Sequence, residues 1–436
     1  MRLSRLAARL PVREGERGTV AVSALSIFAL MSGYYVLRPV RDELGVRAGV
    51  DRIPWLFTAT SVAILLLVPV FGWAASRIPR RRLVPAVNAA FAATLAGLAA
   101  TLSHRAAAVW ARPVLFVFVS MVAVFAVSAS WSLFSDVFSR EQAGRLFGIV
   151  AAGGSAGALA GPAAMSFLGS RVEAPGLVAI SAGLFAACAA LSRRLARSAP
   201  FAAPEPASRP IGGNALSGVG RTARSPFLLA LCLALICYTF VSTLLYFSQT
   251  RIVGAAIADA GRRTVLFARI DLAVNALAMA LQLLVTAPLV RRIGVGGALA
   301  ASAALVTGAL AILGVAPTLG AVVLAQVLHR ALHFAVGRPA REALFVPLDA
   351  EARYKAKSFI DTAVFRLADT GSAWALTAFR AAGADLERAI WLSVPVGIVW
   401  TATCWRIGRI REPRRGEEPA AGAEGLEAPC ANRRLA

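Results

Sequence analysis

Charge is scarce in this chain, and lysine is almost missing. Only 16% of the 436 residues are charged, and Lys355 and Lys357 are the only lysines among 46 basic residues. Soluble domains carry about a quarter of their residues as charges, so a soluble globular protein is excluded. Acids number 23, leaving a formal charge of +23. The arginines punctuate gaps between apolar runs instead of gathering with aromatics in one basic domain, which excludes a nucleic-acid partner. Five cysteines (Cys188, Cys232, Cys237, Cys404, Cys430) show no spacing for zinc or a disulfide framework. Cys232 and Cys237 share one apolar run, where a thiol acts as a small hydrophobe. There is no GK[ST] string behind a strand pattern, hence no phosphate loop. A nucleophile with a base, a metal cluster or paired acids is not assembled anywhere, so no enzyme activity, metal or cofactor is expected.

What the chain has instead is apolar length. Hydrophobic residues make up 58%, and the mean hydropathy is +0.67. A helix crossing a bilayer needs roughly 20 apolar residues. Twelve such spans are predicted, at 19–37, 54–75, 83–102, 113–134, 146–168, 174–192, 226–247, 265–290, 295–315, 318–345, 357–379 and 387–408. The first follows a basic start without a small-residue cleavage site before Arg38, and reads as a retained span. The domain expectation is a six-helix bundle over 1–192, a Pro/Gly/Ser/Ala-rich cytoplasmic linker at 193–225, a second six-helix bundle over 226–410 and a disordered cytoplasmic tail at 411–436. With a cytoplasmic N-terminus, the tails, even-numbered loops and adjoining helix ends hold 30 of the 46 basic residues and the other side holds 13. Positive charge stays inside, so both termini are expected on the cytoplasmic side of a bacterial-type inner membrane.

The halves echo one another. FGWAASRIPRRRLVPA follows span two and TAPLVRRIGVGGALA follows span eight. A short basic turn at the same place in each half is the pattern of a parallel six-plus-six repeat, as in major facilitator transporters. The likeness to that superfamily's loop motif is loose, with Ser76 where an aspartate is expected. Span five carries GIVAAGGSAGALAGPAA, whose Gly153, Gly157 and Gly161 recur every fourth residue. Such stripes let helix backbones approach closely in lipid, and packing is the favoured reading.

Ionisable groups inside spans are costly and usually face a bundle interior or a wet cavity. Span eleven holds Asp361, Arg366 and Asp369. Lys357 and Asp361 are four apart, Arg366 and Asp369 three apart, so two pairs along one helix are expected. They serve either as a static lattice or as partners that a ligand can separate. Span ten places His329 and His333 one turn apart, without an acid or cysteine to complete a metal set, and sets Arg330, Gly337 and Arg341 along one stripe. Pro339 is expected to bend or break that helix and free carbonyls. Span one ends in SGYYVLRPVRDELG. Arg38 and Arg41 face together there, followed by Asp42 and Glu43, either as an interfacial anchor with Tyr34 and Tyr35 or as a guanidinium pair for phosphate or carboxylate. Span eight adds Arg269, Asp271 and Asn275, and Trp131 closes span four either at the interface or as a stacking surface.

Two strings, YYVLRPVRDELG and RYKAKSFIDTAVFRLADTGSAW, resemble the best-marked segments of the nucleotide transporter family, the ATP/ADP translocases of plastids and energy-parasitic bacteria. The resemblance implies a major-facilitator-like fold and nucleotide exchange without hydrolysis. It places the family's basic position on Arg41, followed by Asp42, its YKAK lysines on Lys355 and Lys357, and its ID aspartate on Asp361. Spans four and seven hold no acid here, where the translocases have one, and a lysine further along span eleven is replaced near Asp369.

The expectation is an all-α, twelve-helix secondary transporter of two six-helix bundles, working as a monomer on a small anionic solute with a nucleotide as the leading candidate. Arg38, Arg41, Arg330, Arg366, Lys355 and Lys357 are the expected solute ligands. Asp42, Asp271, Asp361 and Asp369 are the expected gating or proton-coupling groups. A lipid or phosphorylated-metabolite carrier of the same fold, or a scaffold that never transports, stands as the alternative.

Overall fold

In the computed structural model, residues 12–198, 217–345, 356–357 and 359–411 are described. Every secondary-structure element among them is helical. The helices are α1 (Arg17–Ala48), α2 (Ile53–Arg77), α3 (Arg80–Ser103), α4 (Arg105–Val137), α5 (Arg140–Leu168), α6 (Ala174–Ser198), α7 (Pro226–Ala256), α8 (Ala260–Leu281), α9 (Ala287–Val315), α10 (Leu319–Leu332), α11 (Phe365–Ala381) and α12 (Leu386–Arg411), with a short helix at Ser217–Arg224 before α7. All twelve predicted spans fall on these helices and their direct continuations. Most of the expected linker, 199–216, and the tail, 412–436, lie outside the described residues.

By length and composition, ten helical stretches among the described residues can cross a membrane. One of them, Ala260–Val315, contains two spans. The break inside it is Gly294, whose φ of 74° lets the chain turn where another residue would be strained. The segment around α11 is too polar and too interrupted to be counted among the ten.

The helix starts follow local chemistry. Ser139 accepts from the Gln142 amide while the Gln142 side chain returns to the Ser139 amide, closing a capping box on α5. Ser225 caps α7, with Pro226 in the first turn, Asp259 caps α8 and Thr318 caps α10. Helix α1 runs on well beyond its predicted span and stops only at Gly49.

Packing is dense within each half of the chain. Helix α1 lies against α4, α5 and α6, and α3 against α6; α7 lies against α10, α11 and α12, and α9 against α12. The glycine stripe of α5 explains the closest of these contacts. A Cβ at Gly157 would sit 2.4 Å from the Phe28 carbonyl oxygen, and at Gly153 2.5 Å from that of Ala24. Only glycine lets α5 rest on the backbone of α1.

The halves meet along α1–α8, α5–α8, α2–α11 and α1–α7. The start of α1 and the end of α12 lie on one face by chain direction, here the terminal face. Near the opposite, far face the seam is filled with side chains: Ile53, Phe57 and Phe116 of the first half share an apolar cluster with Leu244, Leu310 and Leu376 of the second. Towards the terminal face α2 leaves Leu65, Leu66, Val70 and Trp73 exposed.

Three π-helical turns interrupt the second half, at Gln282–Thr286, His333–Gly337 and Ile360–Val364. The second is expected before Pro339, which donates no amide to the carbonyl four residues back. That carbonyl, on Ala335, accepts from Thr286 Oγ1 at 3.0 Å, and the Phe334 carbonyl accepts from Gln282 Nε2 at 2.9 Å. One π turn thus satisfies the backbone of the other, replacing lost helical bonds in a place where water is scarce.

Candidate functional site

The site is built where α1 crosses α8. Arg38 lies ten residues before the end of α1, and Asp271 eleven after the start of α8. At 1.5 Å per residue both sit roughly 15 Å from the far end, half of a hydrocarbon core about 30 Å thick. Arg38 Nη1 donates to Asp271 Oδ1 at 2.5 Å. Arg330 of α10 places its Nη2 2.7 Å from the same oxygen. One carboxylate therefore serves two guanidinium groups, one from each half, and its side chain is 1% exposed. Its other oxygen, Oδ2, is buried without a hydrogen-bond partner.

One turn along α8, Asn275 extends the seam. It accepts from the Tyr35 hydroxyl at 3.0 Å and donates to the Ala158 carbonyl at 2.8 Å. Arg269, two residues before Asp271 and on the opposite side of the helix, is exposed and takes no part. Tyr35 is buried, which excludes the anchoring role at headgroup level that its position near the end of a predicted span suggested; the helix simply continues past it.

Arg41 lies 3.7 Å from Asp42 and lays its guanidinium 4.4 Å over the Phe116 ring. On α11, Arg366 is 3.9 Å from Asp369, which also accepts from Thr243 Oγ1 at 3.4 Å. Arg41 is within electrostatic reach of Asp369 and Arg366, and of Asp271. Arg38, Arg41, Arg330, Arg366, Asp42, Asp271 and Asp369 thus form one connected field. Four cations face three anions in it.

The remaining expected residues are elsewhere. Asp361 does not pair with Lys357, and the correction has a geometric cause. Asp361 sits in the π turn Ile360–Val364, where the wider spiral spoils the one-turn alignment of residues four apart. Asp361 Oδ1 lies 3.4 Å from Arg341, and Lys357 pairs with Glu342. These four groups form a second cluster near the terminal face. The stripe of Arg330, Gly337 and Arg341 is likewise split by a π turn, its arginines going to different acids. Lys355 lies outside the described residues. His329 and His333 both stack on Tyr238, with ring centroids at 4.9 and 4.5 Å. Trp131 packs edge-on against Phe134 and Phe147.

Sequence reasoning did not single out the far-face contacts. Arg263 of α8 donates to Glu43 of α1 at 2.7 Å, both buried. Arg380 donates to Asp51 at 3.1 Å, Trp374 to Thr58 at 3.0 Å, and the hydroxyls of Ser61 and Thr370 meet at 2.8 Å. All four join the halves. Near the terminal face the ion pairs Arg80–Asp136, Arg13–Glu141, Arg17–Glu14, Arg145–Glu16, Lys357–Glu342 and Arg341–Asp361 each stay within one half. The bundle is fastened at the far face and through its middle. The only sequence signal for these partners is a charge near a helix end, which topology alone also demands.

A charged cluster at mid-depth between two six-helix halves, fastened on one side, is the layout of one large group of membrane proteins, and the family model for the Major Facilitator Superfamily matches residues 19–348. The chain belongs to that superfamily. Among solved structures it is similar to the nucleoside transporter NupG, at a TM-score of 0.65 and 12% identity over 91% of this chain and 99% of that one. It is also similar to a bacterial homolog of the human lysosomal transporter Spinster, in an inward-facing and unoccupied conformation, at 0.62 and 13% over 90% and 97%. The human organic anion transporter MFSD10 aligns at 0.58 and 16% over 90% and 100%. No curated protein matches the chain. This major facilitator protein is a multi-pass membrane protein with the superfamily's fold.

Proposed function

We propose that this protein is a secondary transporter that moves a small anionic solute by alternating access, with the Arg38–Asp271–Arg330 bridge as the core of its site. The observation that carries the reading is the sharing of Asp271 Oδ1 by guanidinium groups from both halves. Asp271 offsets one of their two positive charges. A phosphate or carboxylate entering from the terminal face competes for the same forks, which match its oxygens bidentately. The displaced carboxylate then no longer ties α1 to α8 at the centre. Arg41 and Arg366 add positive charge beside this point, and Asp369 holds Arg366 until the solute arrives. Among the described residues the polar contacts between the halves lie at the middle and the far face, which supports access to the site from the terminal side.

A nucleotide is the leading solute. The strings around Arg41 and Asp361 that resemble the ATP/ADP translocases support it, as does the fold shared with a nucleoside transporter. The described residues engage the arginine ligands through anionic oxygens, so the phosphate end is the part this site reads. The test is counterflow in proteoliposomes. Vesicles loaded with unlabelled ATP, ADP, a sugar phosphate or a dicarboxylate are given the labelled counterpart outside. Uptake is expected for at least one phosphorylated anion and not for the uncharged nucleoside. Uptake of the nucleoside alone defeats the anion reading.

A further inference from the structure

A second basic site lies away from the central cluster, at the far face and inside the first half. The end of α1, the start of α2 and the first turns of α4 enclose a groove of about 400 Å³. Its lining includes Arg47, Arg52 and Arg112 together with Trp55, Val109 and Phe116. Among the described residues no carboxylate lines it. Arg52 and Arg112 have no ion-pair partner among the described residues. Arg47 has Glu43 at 3.7 Å, but that carboxylate is held more closely by Arg263 at 2.7 Å. Asp51, beside Arg52 in sequence, is engaged with Arg380. Three guanidinium groups thus converge on one groove that no carboxylate of the described residues lines, although Arg47 and Arg112 also border a neighbouring cavity with Glu43, Glu173 and Asp259.

The rim identifies the solvent. Trp55 is 65% exposed and Trp110 76%, and Val109 and Val114 are exposed beside them. Tryptophan at a helix end marks the depth of lipid headgroups, and exposed valines flanking it face acyl chains. Arg112 is the eighth residue of α4, roughly 10 Å below its start. The groove therefore presents cations at headgroup depth beside exposed apolar residues. A soluble anion would meet that apolar rim with nothing to cover it, whereas a phospholipid offers a phosphate for the arginines and a chain for the valines.

We propose that the groove between α1, α2 and α4 binds an anionic phospholipid of the far leaflet, its headgroup phosphate held by Arg47, Arg52 and Arg112. The site is independent of the transported solute. Its floor is Phe116, on which Arg41 of the central cluster rests, so an occupied groove braces the wall behind that arginine.

The purified full chain is tested in detergent with added phosphatidylglycerol, phosphatidylcholine or inorganic phosphate alone. A ligand of the folded state raises the melting point, here by about 3 °C for phosphatidylglycerol and by far less for the other two. Arg52→Gln/Arg112→Gln should lose that shift while melting as the parent does in phosphatidylcholine. Arg291→Gln/Arg292→Gln, an exposed basic pair near the terminal face, should keep it. Retention of the shift by the first double variant, or its equal loss in the second, overturns the site. A shift with inorganic phosphate as large as with the lipid overturns the lipid as its occupant. Native mass spectrometry of the unaltered protein reads the same question without a variant. Phosphatidylglycerol should survive activation that strips phosphatidylcholine, and equal loss of both rejects the proposal.

Discussion

Arg38 and Asp271 stand 233 residues apart in the chain and 2.5 Å apart in the protein, joining its two halves at the middle of the bilayer. Because Arg330 uses the same carboxylate oxygen, the three groups are not interchangeable. Asp271→Ala orphans two largely enclosed guanidinium groups, 17% and 12% exposed, and should cost about 3–5 kcal/mol. Arg38→Ala leaves Asp271 with Arg330 and should cost about half as much. Thermal unfolding of the two variants gives the order, and a larger loss in Arg38→Ala contradicts the shared acid.

Arg366 lies beside Asp369 and within electrostatic reach of Arg41. Losing a buried cation that contacts an anionic solute costs about 2–5 kcal/mol of binding, a drop of roughly 30-fold or more. Arg366→Ala should therefore reduce counterflow to background while the protein still elutes as the parent does on gel filtration. Unchanged uptake removes Arg366 from the site.

The far face is held shut by Glu43 with Arg263 and by the α2–α11 contacts. Ser61→Cys places a thiol in that seam, where Ser61 is 6% exposed. Adding Glu43→Gln should raise its labelling by an impermeant maleimide about 10-fold, the response to a shift of about 1.4 kcal/mol between open and closed forms. Equal rates mean that Glu43 does not gate this side.

Gly157 and Gly148 are two glycines of α5 with opposite surroundings. A methyl at Gly157 strikes the α1 backbone at 2.4 Å, whereas nothing lies within 4 Å of one at Gly148. Gly157→Ala should destabilise by about 1–3 kcal/mol. Gly148→Ala should be neutral or slightly stabilising. The comparison of melting points checks whether the stripe is a packing device.

Gln282 and Thr286 satisfy two carbonyls of the π turn in the neighbouring span. Gln282→Leu/Thr286→Val should cost about 1 kcal/mol, since interhelical hydrogen bonds in lipid average about 0.6 kcal/mol each. A neutral result means that the carbonyls find other donors.

Hydropathy alone laid out the twelve spans, because the bilayer sets the length of apolar chain that each crossing needs. The glycine stripe was legible for a related reason, since close helix contact in lipid demands small residues at a helical period. The pairing of span eleven was not legible. Reading Lys357 with Asp361 assumed an unbroken α-helix, and the π turn at Ile360–Val364 sends each to a different residue of span ten's continuation. Near the end of the first predicted span, Tyr35 and Arg38 looked equally suited to a headgroup anchor, because sequence does not tell how far a helix runs beyond the membrane centre.

From sequence came the membrane, the helix count and the list of charged groups that lipid would not tolerate unaided. Which cation meets which anion was settled only by the packing of α1, α8 and α10, as Arg38 and Arg330 lie 233 and 59 residues from Asp271. Short-range periodicity cannot encode such distances. Tertiary structure also decided which end of the seam is closed, because that depends on contacts between halves which no single helix contains.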